Sequence, residues 1–324
     1  MVRADSDNGI TMKCPICNSR GIFLYNLKAD YIINRLEDYF GENITVNLDV
    51  IDYTMCRCPN CTLEYADPSI SSNNFYEWIT QHNKYYPENR WEWVDVVNKI
   101  NDGSLGNRKR LLEVGCGAGD FLKKIKNVSQ IEAVGLDTTN SSVEKCVRKG
   151  IVAHCKTLDS YIIEANSRNE YYDIIVAFHC LEHIAEPKHF VASMLPLLKQ
   201  GGRIFLSTPY SPMSFENAWY DPLNHPPHHF TRWNETAYKE LANQLHLNVE
   251  FSMPKAPNAV RRSYSSLNLM WNGPAKLLPT SKLILKSFFN PKCFAKEIMR
   301  QWKREKVNGR SAADVVLVEM TRKI

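Results

Sequence analysis

Residues 111–122 read "LLEVGCGAGDFL". An apolar run, Leu111 to Val114, is followed by Gly115, Gly117 and Gly119, and then by residues with helical spacing. This is a strand, a glycine turn and a helix in direct succession. Glycine loops at helix starts usually receive phosphates, because the unsatisfied N–H groups and the dipole favour an anion. Here two acids flank the loop, Glu113 and Asp120. The dinucleotide fingerprint G-x-G-x-x-G needs a third glycine where Asp120 stands. A carboxylate there opposes a doubly anionic ligand and favours a cationic one.

The stretch that follows alternates strand and helix. "IEAVGLD" is a second strand, "SSVEKCVRKG" a helix closed by glycine, and "IVAHC" a third strand. "YYDIIVAFHC" is a fourth, "HFVASMLPLLKQGG" a helix ending in a glycine pair, and "RIFLSTP" a fifth. Such alternation predicts parallel βαβ units with helices on both faces. Ligands then bind at the carboxyl ends of the strands. Asp137 ends the second strand, where an acid accepts hydrogen bonds from a ribose diol.

These segments resemble class I S-adenosylmethionine-dependent methyltransferases. The resemblance rests on "LLEVGCGAGDFL", "VGLD", "YYDIIVAFHCLEHIAEP", "LLKQGGRIFLSTP" and the late "DVVLVEMTRK", in that order along the chain. It implies an α/β, Rossmann-like doubly wound sheet of seven strands with an antiparallel last strand. It also implies S-adenosyl-L-methionine as cofactor. Glu113, Gly115, Gly117 and Gly119 would border its methionine part, and Asp137 would hold the ribose. Thr157 and Leu158 would lie near the adenine, with Cys116, Thr138 and His179 as further contacts. Many relatives carry an acid after the third strand for the adenine amine. This chain has "HCKTLD" instead, so backbone groups or Asp159 would serve. The loop N–H groups would meet the cofactor's carboxylate.

Cys14, Cys17, Cys56, Cys58 and Cys61 crowd the first fifth of the chain, while five other cysteines are scattered. "CPIC" at 14–17 recurs as "CPNC" at 58–61. Two such knuckles aim four thiolates, Cys14, Cys17, Cys58 and Cys61, at one ion, which suits a structural Zn²⁺. Cys56 is a spectator or an alternative ligand. Between the knuckles, "YIINRLEDYF" reads as helix and "ITVNLDVIDY" as strand. The branch that combines a zinc ribbon with a "PPHH" segment modifies sugars or glycan precursors, so the resemblance implies a sugar, nucleotide-sugar or glycan acceptor, with O-methylation favoured.

The acceptor side falls on two segments. "FHCLEHIAEP" follows the fourth strand and contains His179, Glu182 and His183. Some relatives bind a divalent cation with E-x-x-E-H, but His179 replaces the first acid here. "NHPPHHFTRW", 224–233, carries His225, His228 and His229 in a long connection with little helical pattern. His183, His228 and His229 are the candidates to contact the acceptor and take its proton; the alternatives for such a histidine are a structural role bonded to backbone, or a metal ligand.

Composition bounds the alternatives. The 324 residues are 44% hydrophobic, 23% charged and 11% aromatic, which suits a packed globular chain of about two domains. No secretory signal or run of 18 apolar residues is visible, so a cytoplasmic location is expected. Thirteen Lys or Arg between Lys255 and Arg310 face only Glu297 and Glu305, a net +11 within a chain total of +5. This stretch reads as basic amphipathic helices covering the cleft, contacting an anionic acceptor, or attaching peripherally to anionic lipid. Arg261 and Arg262 are candidate phosphate partners. The expected organisation is a zinc-ribbon module at 1–70 and a helical lid or linker at 71–104. The aromatics of the latter, which include Phe75, Tyr76, Trp78, Tyr85, Tyr86, Trp91 and Trp93, read as helix packing across the sheet or as a lid over a ligand cleft. A methyltransferase core at 105–254, a basic helical insert at 255–311 and a last core strand at 312–324 complete it. RNA is the rival acceptor. A nicotinamide-dependent sugar oxidoreductase, disfavoured by the glycine spacing, and a non-catalytic zinc scaffold are the other classes.

Overall fold

The structure is a computed structural model. It describes residues 12–70, 72–82, 89–101, 103, 110–128, 131–255, 257–308 and 313–323. Tyr85 and Tyr86 lie outside the described residues, as do the expected boundaries at 105 and 311–312.

Two sheets organise the chain. The first contains β1 (Ile22–Leu27), β2 (Tyr53–Arg57) and β3 (Glu64–Asp67), with helix α1 (Ala29–Phe40) between β1 and β2. Helices α2 (Asn73–Ile79) and α3 (Trp91–Asn101) lead into the second sheet. There β4 (Arg110–Val114), α4 (Asp120–Val128), β5 (Glu132–Asp137), α5 (Asn140–Arg148), β6 (Val152–Cys155), α6 (Leu158–Ser167), β7 (Tyr172–Phe178), α7 (Pro187–Met194) and β8 (Leu198–Pro209) alternate. A long connection holds the two-residue β9 (Thr231–Arg232), followed by α8 (Glu235–Gln244) and β10 (Leu247–Ser252). Helices α9 (Ala259–Asn272), α10 (Thr280–Phe288) and α11 (Pro291–Asn308) form the basic insert before β11 (Val315–Arg322).

The second sheet has seven strands in the order β10-β11-β8-β7-β4-β5-β6. β4 through β8 run parallel, and β11 lies antiparallel between β8 and β10. This is the expected seven-stranded architecture with its antiparallel last strand. The apolar runs of β4 and β7 are continuous because helices cover both faces. Alternation sorts β4 onto two cores: Leu112 and Val114 pack with Leu136, Ile175 and Leu206, while Leu111 packs with Ile174, Phe121 and Trp93. Each fully buried Leu contributes about 1.5–3 kcal/mol. The same period of two puts Glu113 on the Leu111 face at the carboxyl end of the strand. The fold therefore carries one carboxyl group to the cleft within an apolar run.

Three local expectations are corrected. The helix over 189–202 stops at Met194; Leu195–Leu197 is a short 3-10 turn, and Lys199 to Gly202 already belong to β8. Pro196 explains the stop, since it removes a helical N–H and clashes with the preceding turn. "ITVNLDVIDY" is strand only at its last residue, Tyr53. Within it Asn47 Oδ1 accepts from Asp49 N–H and Asp49 has φ +50°, a side-chain turn that competes with ladder bonds. Arg262 is no phosphate partner: it is buried in the insert, with Nε donating to Gln301 Oε1 at 3.0 Å and Nη2 to Gln301 O at 3.1 Å.

The insert packs on the 210–224 connection, where Arg300 and Gln301 both donate to Ser214 O at 2.6 and 2.7 Å. Phe288 and Phe289 at the end of α10 are about four-fifths exposed. Among the described residues no helix is long and apolar enough to cross a membrane.

The first sheet has the order β1-β2-β3-β9. Its fourth strand thus comes from beyond β8. Glu64 pairs with Arg232 and Tyr65 with Thr231. Arg232 is buried and ion-paired to Glu64 at 3.2 Å and to Glu216. The amino-terminal module and the histidine-bearing connection are one piece of structure.

Candidate active site

The glycine turn closes the carboxyl end of β4. Gly115, Gly117 and Gly119 have φ of +75°, +50° and +75°. Only glycine takes this backbone without cost. Space adds a second constraint at Gly119, where a Cβ would lie 2.8 Å from Cys146 Sγ. Four loop N–H groups are spent internally. Those of Gly115 and Cys116 go to Leu136 O, that of Gly119 to Cys116 O, and that of Gly117 to Asp137 Oδ2 at 2.8 Å. The expectation that these groups receive a ligand carboxylate does not hold for them.

Asp137 is oriented by two backbone donors, Gly117 N–H to Oδ2 and Thr139 N–H to Oδ1, both at 2.8 Å. Each carboxylate oxygen keeps a second acceptor position. Asp137 lines a cleft of about 980 Å³ together with Gly115, Gly117, Thr138, Thr157 and Leu158. Thr157 caps α6, its Oγ1 accepting from Ser160 N–H at 3.2 Å. Asp159 lines the same cleft and is shared by His189 Nε2 at 3.2 Å and Ser193 Oγ at 3.0 Å. Cys116 turns away from the cleft toward Cys146, its Sγ 4.0 Å from the Cys146 sulfur.

A smaller chamber of about 170 Å³ adjoins the cleft. Gly115, Gly117, His179 and His183 line both spaces. Glu113, Glu182, Arg90, Trp93, His228 and His229 also line the chamber, as do Cys116, Ala118, Asp120 and Phe178. The two acids flanking the glycine loop differ in fate. Asp120 is paired with Lys149 Nζ at 2.5 Å. Glu113 is fully buried, and its Oε2 has no hydrogen-bond partner among the described residues. Burial raises its pKa well above the usual carboxylate range, with Cys146, Asp137 and Asp120 adding to it.

His179 has φ +48°, in the left-handed region, which aims its ring between two buried carboxylates. Nε2 lies 2.8 Å from Glu92 Oε1 and Nδ1 lies 3.4 Å from Glu182 Oε1. Burial disfavours the imidazolium, but Glu182 and Glu92 outweigh it and hold the pKa above the ordinary histidine value.

His183 stands on a 3-10 turn, Leu181–His183, and His228 and His229 on the connection before β9. Phe230 N–H donates to Glu182 O at 2.8 Å and ties the two segments together. The three rings lie 4.5–4.7 Å apart, centroid to centroid. Burial keeps all three pKa values below the ordinary histidine range, so the rings are neutral. His225 faces elsewhere: Nδ1 donates to Asp221 O at 2.7 Å and Nε2 meets Tyr25 Oη at 3.0 Å. Burial pushes its pKa down to about 3.

The four knuckle cysteines converge. Cys14 Sγ lies 3.5 Å from Cys61 Sγ and Cys17 Sγ lies 3.4 Å from Cys58 Sγ, all four within 4.8 Å of one another. Both knuckles repeat one backbone pattern: Cys14 N–H to Ser19 O and Asn18 N–H to Cys14 O match Cys58 N–H to Leu63 O and Thr62 N–H to Cys58 O. Asn18 and Thr62 share φ near +60°. Cys56 stays out of the cluster, in the core, where burial pushes its thiol up to about 11.

Arg90, Glu92 and Trp93 were not singled out by sequence as site residues. They lie in the "NRWEW" segment, whose density of aromatics was its only signal. Tyr76 and Asn73 of α2 line the cleft from the other side.

A doubly wound sheet with an antiparallel seventh strand, a glycine turn after its first parallel strand and an acid at the tip of the second defines a class I S-adenosylmethionine-dependent methyltransferase fold. The chain belongs to the family described as "Methyltransferase domain", whose match spans residues 81–250, more than half of it. It is similar to the ubiquinone biosynthesis O-methyltransferase of Proteus mirabilis, 33% identical over 125 residues that cover 36% of this chain and 47% of that one. The enzyme of the same name from Bordetella avium is 28% identical over 158 residues, covering 46% and 63%. The chain thus spans about half to two-thirds of the length of these relatives. A methyltransferase from Archaeoglobus fulgidus aligns over 71% of this chain and 94% of its own at 16% identity and TM-score 0.45. The plantazolicin methyltransferase BpumL, solved with SAH, aligns over 79% and 93% at 14% identity and TM-score 0.49.

Proposed function

We propose that the protein transfers a methyl group from S-adenosyl-L-methionine to a hydroxyl of a small-molecule acceptor. The observation that carries this is the junction of cleft and chamber. Gly115, Gly117, His179 and His183 border both, so a donor whose nucleoside lies in the cleft brings its sulfonium end into the chamber, beside the histidines that would meet the acceptor.

The residues fit the cofactor. Asp137 would hold the ribose diol, and the Thr157 and Leu158 edge, with Asp159, would take the adenine. Glu113 would face the cationic methionine end, which accounts for a buried carboxyl without a partner. Arg90 stands in the same chamber and suits the methionine carboxylate, since the loop's N–H groups at Gly115, Cys116, Gly117 and Gly119 are spent. When bound, the cofactor supplies an electrophilic methyl on a sulfonium.

The chain's own part is positioning and exclusion of water, which supplies roughly 7–11 kcal/mol in well-oriented systems. The neutral rings of His183, His228 and His229 offer acceptor nitrogens to a hydroxyl. The relatives' name, O-methyltransferase, supports oxygen as the methylated atom. A sugar, nucleotide-sugar or glycan acceptor follows from the resemblance of the zinc-bearing branch. The four cysteines fit a structural Zn²⁺: a tetrahedron with bonds of about 2.3 Å sets its sulfurs about 3.8 Å apart, close to the spacings seen. Four thiolates leave no open position for chemistry.

The test uses the full chain with radiolabelled S-adenosylmethionine and a fractionated native extract. Label in a small hydroxylated or glycan fraction is expected. Label in RNA would move the assignment to an RNA methyltransferase, and no adenosylhomocysteine binding would end it.

A further inference from the structure

Besides the cysteine cluster, one group of potential metal ligands stands out among the described residues. His183, His228 and His229 each bring a ring nitrogen within 4.8 Å of the others. Their second nitrogens decide what this means. His183 Nδ1 lies 2.6 Å from His228 O, His228 Nδ1 lies 2.8 Å from Leu223 O, and His229 Nδ1 lies 3.2 Å from Asn224 Oδ1. A carbonyl oxygen only accepts, so Nδ1 carries the proton in each ring and Nε2 carries the lone pair. Metal-ligating histidines are held in this way, with the far N–H on an oxygen acceptor. Three independent acceptors set the same tautomer in three adjacent rings.

A second observation points to a cation. Glu182 is 1% exposed and lines the same chamber. Its Oε1 is ion-paired to His179 Nδ1 at 3.4 Å, while Oε2 has no partner among the described residues. A buried carboxylate oxygen left without a hydrogen bond is costly, and one histidine, shared with Glu92, serves two carboxylates here. The Glu182 backbone carbonyl is tied to Phe230 N–H, next to His229, so the carboxylate and the imidazoles belong to one rigid corner.

We infer that His183, His228 and His229 hold a divalent transition-metal ion through Nε2, with the Glu182 carboxylate beside it as a charge partner. Three imidazoles suit Zn²⁺ or another late first-row ion. Three protein nitrogens leave coordination open for a further ligand, as catalytic zinc sites do. That ligand would be an oxygen of the acceptor, and here the inference rests on the methyltransferase reading. The balance is simple. The acceptor O–H gives its proton to the Glu182 carboxylate, which lines the chamber and whose Oε2 has no partner among the described residues; the O–CH₃ bond forms as the S–CH₃ bond breaks, and that bond's electron pair stays on sulfur. A cation beside the oxygen favours its deprotonated form.

The site itself is tested without turnover. The purified full chain is loaded with Zn²⁺, dialysed, and its metal counted by mass spectrometry. Two ions per chain are expected, one on the cysteines and one on the histidines. His229→Gln and Glu182→Gln are expected to lower the count or weaken the second ion while leaving the cysteine-bound ion in place. Asn224→Ala removes only the acceptor behind His229 and is expected to weaken the second ion about 10–100-fold. In the unaltered protein, the Nε2 ¹⁵N resonances of the three rings should shift on adding the ion, a readout that survives if a variant fails to fold. One ion per chain at saturating Zn²⁺, with those resonances unmoved, overturns the site. Adenosylhomocysteine titration of the same samples separates the two ideas. Two ions without nucleoside binding would leave the metal site and remove the methyltransferase reading. Nucleoside binding with one ion would do the reverse.

Discussion

The four-cysteine cluster and the three-histidine cluster are both sets of metal-ligating side chains, yet they are built differently. Each cysteine knuckle is a local turn whose ligands are three residues apart, and it repeats in sequence and in backbone hydrogen bonds. The histidine cluster joins His183 on one turn to His228 and His229 some 45 residues later. Its geometry depends on β9 pairing with β3 and on Phe230 bonding to Glu182. A local turn announces itself in spacing; a cluster assembled by strand pairing does not. The first cluster also supports the second, because β3 belongs to the sheet that the knuckles close.

The largest expected effect tests that dependence. Replacing Cys58 by Ala should release the proposed zinc, whose binding is worth roughly 10–16 kcal/mol in zinc-finger peptides. Hydrogen exchange should then lose protection across β1, β2 and β3 and also at Thr231 and Arg232, while β4 to β8 stay protected. Retained protection at 231–232 would break the link between the two clusters.

Next, Asp137→Ala removes the oriented carboxylate. Hydrogen bonds to charged acceptors contribute about 1.5–3 kcal/mol each. Calorimetry should therefore show adenosylhomocysteine binding weakened about 10–100-fold, with both metal clusters unaffected. Gly119→Ala forces a left-handed Ala and a Cβ 2.8 Å from Cys146 Sγ. A stability loss of about 2–4 kcal/mol is expected in denaturant unfolding.

The smallest effect sharpens the picture of the histidine connection. Burial pushes the Asp221 carboxyl up to about 6 from its ordinary 3.8. A raised carboxyl pKa means that the neutral form is favoured on folding. That contribution is complete below about pH 3.8 and is lost as pH rises through 6. Asp221→Asn should therefore match the parent at pH 3.5 and exceed it by about 1–3 kcal/mol at pH 8. Parallel pH profiles for the two proteins would remove Asp221 as the titrating group.

Much of the fold was legible. The continuous apolar runs of β4 and β7 and the glycine turns placed the parallel sheet, because fully buried strands and left-handed turns restrict residue choice. The helix α1 was legible from its spacing. The misread pieces have local causes: Pro196 ends a helix before its apolar pattern ends, and the Asn47 to Asp49 turn diverts an apparent strand. At the site, Glu113 and Asp120 looked equivalent along the chain, and only Lys149 in the folded state tells them apart. Arg90 and Glu92 were hidden in an aromatic segment, since nothing in "NRWEW" says that it packs beside β4.

The sequence by itself determined the strand and helix alternation, the glycine turn, the acid at the tip of β5 and the twin cysteine knuckles. Each depends on residues within a few positions of one another, where backbone sterics and side-chain periodicity act directly. Only the tertiary structure decided that β9 joins the amino-terminal sheet, that Asp120 is paired with Lys149 while Glu113 Oε2 has no partner among the described residues, and that three histidines share one tautomer. Those outcomes depend on which distant carbonyl, amine or carboxylate is brought within about 3 Å, and spacing along the chain does not encode that distance.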